Sequence, residues 1–90
     1  MIMFTDHAKD KLLKELKKLG VTEQLITDIL KKPDELLYDA LRERFAALSW
    51  SHNTAVIYEK TNNKIIVVTV IYSSELKSMV KRRKRTGRWI

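Results

Sequence analysis

The chain has 90 residues, 44% of them hydrophobic, with two Gly and one Pro. That excludes a disordered composition and leaves room for a single domain, 1–90, with one core that is marginal in size and gains from a partner or a dimer. The absence of Cys excludes disulfides and thiolate zinc sites, and the net charge of +7 lies entirely in segment 77–90, because residues 1–76 hold 11 of the 18 basic residues and all 11 acids.

The N-terminus, MIMFTDHAKD, has neither a basic leader nor an apolar run of signal-peptide length. The longest apolar run, Ile65 to Tyr72, is interrupted by Thr69 and is too short to span a bilayer. The expectation is a soluble cytoplasmic protein that uses no membrane.

Thr5 is a suitable N-cap, with Asp6 in the first turn where the helix dipole favours an anion. Ala8, Leu12, Leu16 and Leu19 recur at helical spacing, and Gly20 stands where a helix ends in a left-handed residue. The spacing predicts a helix over about 6–19. Thr22 caps a second helix with Leu25, Ile26, Ile29 and Leu30 as its apolar stripe; Lys31 and Lys32 complement its dipole and Pro33 stops it.

Beyond Pro33 the period changes. Segments 44–50, 54–60 and 64–72 are rich in β-branched and aromatic residues, and the polar breaks Ser51-His52-Asn53 and Thr61-Asn62-Asn63 separate them. The paired Asn residues signal a hairpin. Leu36 to Ala40 fits a short edge strand, which makes three or four antiparallel strands. By simple alternation, Ile66, Val68 and Val70 face one side of the sheet and Ile65, Val67 and Ile71 the other. Such a strand is covered on both faces, or on one of them by a partner molecule.

Ser73 or Ser74 caps a last helix with Leu76, Met79 and Val80 on its apolar face. Thr86-Gly87 ends that helix and leaves Arg88-Trp89-Ile90 as a tail. The predicted architecture is α+β: two N-terminal helices packed on a three- to four-stranded antiparallel sheet, followed by a short basic C-terminal helix.

FTDHAKDKL, the second helix ending in ILKKPDELL, and the strand IIVVTVIYSS resemble the small uncharacterised proteins grouped with RelE-type toxins, in the barnase–colicin–RelE superfamily of ribonucleases. The local markers are Thr-x-His-Ala-x-x-Lys at 5–11, Lys32-Pro33-Asp34 and Val68 to Tyr72. The resemblance covers nearly the whole chain in element order. It implies a concave sheet face that receives RNA and a metal-independent endoribonuclease that activates the ribose 2′-hydroxyl with no cofactor. It also implies the toxin of a toxin–antitoxin pair, acting on RNA that includes ribosome-bound RNA. RelE-like enzymes often carry a C-terminal Tyr; here Trp89 stands near the end.

Five side chains are candidates for that chemistry. His7 suits general acid or base work near neutral pH; the bland alternative is a solvated residue of a helix's first turn. Arg42 and Arg44, two apart at a strand entrance, would clamp a phosphate from one face; the alternative is ion pairing with Asp39 or Glu43. Thr69 is the polar break in the last strand, and Tyr72 ends that strand at the root of the basic helix, available for stacking. Trp50 and Tyr58 are read as core. His52 falls in a turn and gets no assigned role. Two histidines and scattered carboxylates make no metal-ligand spacing.

Lys77, Lys81, Arg82, Arg83, Lys84, Arg85 and Arg88 are the nucleic-acid-binding candidates, because a run of like charges gains nothing from burial and suits a polyanion. If all seven met phosphates, the logarithmic salt slope of binding would approach about −5 to −6. An acidic antitoxin-like protein is a second partner for the same surface. The competing readings are a non-enzymatic nucleic-acid-binding module of the same fold and a dimeric protein-interaction domain.

Overall fold

The computed structural model describes residues Met1–Ile90. The elements run β1 (Ile2–Phe4), α1 (Asp6–Lys11), α2 (Glu23–Lys31), β2 (Glu35–Asp39), β3 (Arg44–Ser49), β4 (Thr54–Thr61), β5 (Lys64–Tyr72) and α3 (Leu76–Arg85). The class is α+β, as expected, but the sheet has five strands and is mixed. Its order is β1-β5-β4-β3-β2. β2 to β5 form an antiparallel meander, and β1 pairs parallel to β5 in the register Ile2↔Ile65 to Phe4↔Val67. The expectation of three or four antiparallel strands missed β1. Three residues are too few to show alternation, and their partner lies more than sixty positions away.

The Thr5 hydroxyl fixes the passage from β1 into α1. It accepts from Ala8 N–H at 3.1 Å and donates to Val68 O at 2.9 Å, so one side chain caps the helix and ties it to β5. The predicted helix over 6–19 is one rod of three kinds of turn. After α1 the chain widens into a π turn over Leu12–Leu16 and tightens into a 3-10 turn over Lys17–Leu19. The extra residue of a π turn rotates everything after it. Ala8, Leu12 and Leu16 are therefore buried as the spacing predicts, whereas Leu19 is 52% exposed. Gly20 ends the rod at φ 83°, and the Thr22 hydroxyl caps α2 through Leu25 N–H at 3.2 Å.

The sheet is packed on both faces. On one side Ala8, Leu12, Leu16, Val21, Ile26 and Ile29 of the helical hairpin meet Ala47, Val56, Tyr58, Val67 and Val70. On the other side Leu76 and Val80 of α3, with Trp89, meet Leu37, Ala46, Leu48, Ala55 and Ile57. A bulge in β5 corrects the predicted facing of that strand. Ile57 pairs with Thr69 but Tyr58 pairs with Val67, so Val68 is an extra residue. The bulge brings Ile65, Val67 and Val70 to the hairpin side and Ile71 to the α3 side.

The last residues do not trail into solvent. Gly87, at φ 77°, reverses the chain after α3. Arg88 and Trp89 N–H groups donate back to Arg83 O, and Ile90 exchanges two backbone hydrogen bonds with Tyr38 (2.8 and 3.0 Å) on the outer edge of β2. Trp89 is thereby 2% exposed, a core residue of the second layer. The return also covers part of an otherwise unpaired strand edge. No helix is long and apolar enough to cross a membrane.

Candidate nucleic-acid interface

The seven basic candidates divide into two groups. Three are bound within the fold. Arg83 lies over the Trp89 ring, its guanidinium carbon 4.5 Å from the centroid. Arg88 Nε is 3.5 Å from the Asp39 carboxylate, and Lys84 pairs with Glu35 on β2. The other four, Lys77, Lys81, Arg82 and Arg85, make no ion pair and are exposed. At 100° per residue Lys81, Arg82 and Arg85 lie opposite the Leu76–Val80 stripe that α3 buries, and Lys77 lies on its flank. The outer face of α3 is therefore a ridge of four unpaired cations. No acidic residue lies within the helix.

Asp39 organises the cations that the fold retains. It is 4% exposed at the end of β2, covered by arginines at the edge of the sheet. Arg42 donates to it from its backbone N–H at 3.1 Å and from its guanidinium at 3.4 Å, and Arg88 donates from Nε. Burial alone would raise the carboxyl pKa. The hydrogen bonds from the Arg42 backbone, Arg88 and the Arg42 side chain outweigh it and hold the pKa below its ordinary value. Arg83 shifts downward, chiefly by burial and then by repulsion from Arg88 and Arg42.

The five candidates for chemistry sit apart. His7 is exposed on α1 and its side chain makes no hydrogen bond within the chain. Arg42 lies in the turn between β2 and β3, not on a strand, so the alternation rule that paired it with Arg44 does not apply. Arg42 is held by Asp39, and Arg44 reaches across the sheet to Glu59 at 3.2 Å. Thr69 is half-buried on β5 opposite Ile57. Tyr72, 38% exposed, lines a cleft of about 190 Å³ at the end of β5 with His52, Ser51, Asn53 and the hairpin residues Leu19 and Leu25. His7, Arg44 and Thr69 line none of the four principal cavities, and Arg42 and Tyr72 line different ones. No group of three or more His, Asp or Glu side chains gathers at metal-binding distance.

Sequence reasoning gave no role to the turn between β3 and β4, which the structure holds tightly. The Trp50 N–H donates to the Asp34 carboxylate at 2.8 Å, the Thr54 hydroxyl donates to His52 O at 2.7 Å, and Ser73 N–H donates to Asn53 O at 3.0 Å. The Ser49 and Ser51 hydroxyls lie 2.9 and 3.2 Å from His52 Nδ1. Both hydroxyls thus converge on one ring nitrogen, which holds the imidazole in the turn. The Ser-His-Asn run was the available signal, but a polar turn reads as punctuation until its neighbours are known.

No family model, curated protein or solved structure matches this chain.

Proposed function

We propose that this protein binds RNA through the outer face of α3, with Lys77, Lys81, Arg82 and Arg85 engaging the phosphate backbone. The observation that carries this reading is the division of the basic segment. Three cations are engaged by Trp89, Asp39 and Glu35, while four on one helix face solvent without an ion pair. A fold that can pair some of these cations and leaves the others unpaired on a common face suits a polyanion. An acidic protein partner would compete for the same ridge.

The RelE-type endoribonuclease is the enzymatic form of this proposal and rests on the resemblance of sequence. The dispersal of His7, Arg42, Arg44, Thr69 and Tyr72 favours the non-enzymatic binding module over it, since metal-free cleavage needs its acid, base and phosphate clamp around one phosphorus.

Binding of a fluorescently labelled RNA, read by anisotropy, tests the proposal with wild type and the quadruple variant K77Q/K81Q/R82Q/R85Q. Loss of binding with an unchanged melting temperature supports the ridge, and unchanged binding overturns it. Cleavage of the same RNA in chelator, abolished by His7→Ala, would restore the enzyme.

A further inference from the structure

We infer that the groove between the Trp50 turn and the first turns of α3 takes an unpaired nucleotide of single-stranded RNA, a reading that rests on the proposed RNA-binding role of α3. The groove measures about 510 Å³, within the ~300–1,000 Å³ typical of small-ligand sites. Trp50, Asn53, Lys77, Arg82 and Glu75 are among its lining residues. It thus brings an aromatic ring beside two of the four ridge cations.

Trp50 is half-buried. Part of it packs against the second core layer and the rest lines the groove. An indole anchored in this way is a stacking surface with little side-chain entropy left to lose on binding. Its backbone is also fixed, by Asp34 at Trp50 N–H and by the Asn53 N–H to Trp50 O hydrogen bond of 3.2 Å. Lys77 and Arg82 supply cations for a phosphate. Glu75 is the one carboxylate of the groove, so its charge remains net positive. A carboxylate there is unsuited to a phosphate but can accept from the amino group on a base edge.

Asn53 lines both this groove and the His52–Tyr72 cleft, so the two cavities adjoin. A strand with its phosphates on the α3 ridge and one base on Trp50 would carry its next nucleotide toward Tyr72. There the exposed phenol offers a second stacking surface, and the His52 ring lines the same cleft as a polar contact for a ribose or phosphate. A duplex keeps its bases stacked inside and cannot use either site. The ridge provides affinity for any RNA, and the groove provides the preference for unpaired RNA.

The test compares a short single-stranded RNA with its blunt duplex on wild type, Trp50→Leu and Trp50→Phe. Trp50→Leu is expected to weaken single-strand binding roughly 5- to 100-fold, to leave duplex binding unchanged, and to be largely rescued by Trp50→Phe. Equal losses for both RNAs in a folded Trp50→Leu, or no loss for either, would overturn the groove while K81Q/R85Q still tests the ridge separately. Wild type binding neither RNA would overturn the ridge itself. If Trp50→Leu fails to fold, tryptophan fluorescence of the wild type decides. Trp89 is 2% exposed, so quenching by single-stranded but not duplex RNA reports Trp50, and an unchanged spectrum at saturation would refute the groove.

Discussion

Arg83 stands over the ring of Trp89 with 4.5 Å between guanidinium carbon and ring centroid, and each of the two holds the other in place. The ring turns one of the cations of α3 inward. The cation, with Leu76 and Val80, makes α3 a face onto which the tail can close. A cation–π contact of this kind contributes about 0.5–2 kcal/mol, and burial of the indole contributes more. Trp89→Ala should therefore lower unfolding stability by about 3 kcal/mol. Urea denaturation measures this, and an unchanged midpoint would show that the tail is not part of the core.

Asp39 gives the same closure a pH dependence. Its folded pKa is depressed, so its contribution is present above the unfolded value near 3.9 and is lost as pH falls through the lower folded value. Stability should decline below about pH 4, and Asp39→Asn should remove that part of the decline. At neutral pH, Asp39→Asn should cost about 1–3 kcal/mol, since Arg42 and Arg88 lose their charged acceptor. Thermal melts at neutral and acidic pH check both.

The cations of the fold and of the ridge should respond in opposite ways. Arg88→Gln should reduce stability, by about 1–2 kcal/mol given its partly exposed partnership with Asp39. Its effect on RNA affinity should be small. Lys81→Gln and Arg85→Gln should leave melting unchanged and weaken RNA binding. Paired melting and anisotropy titrations distinguish the two groups, and similar behaviour of all three variants would contradict the division.

Gly87 has a purely conformational role. At φ 77° a side chain meets no neighbouring atom but is strained by the backbone itself. Gly87→Ala should cost about 1 kcal/mol and raise amide exchange at Trp89 and Ile90, which hydrogen–deuterium exchange reads directly.

Much of the fold was legible in the residues because it is local. Thr5, Thr22 and Gly20 mark helix ends by chemistry that needs no distant partner. The Asn62-Asn63 turn, with Asn62 at φ 54°, joins β4 to β5 as its composition signals. What stayed hidden depends on distant pairing. β1 is a strand only because β5 lies beside it. The Val68 bulge reverses facing at a position no different in composition from its neighbours. Trp89 reads as a loose end because its partners, Arg83 excepted, lie on other elements. The site was legible as charge but not as arrangement. The run Lys81 to Arg85 shows a concentrated positive charge, while Asp39, Glu35 and Trp89 decide which cations stay free, and the Trp50–Asn53 turn acquires its groove only through α3.

The salt dependence of RNA affinity tests the central claim most directly. Four free cations, at ~0.7–0.9 each, predict a logarithmic slope of about −3, falling to about −1.5 in K81Q/R85Q. A wild-type slope near −5 to −6 would mean that Arg83, Lys84 and Arg88 leave Trp89, Glu35 and Asp39 to meet phosphate. A slope near zero, or one that K81Q/R85Q leaves unchanged, would contradict the ridge as the RNA-binding surface.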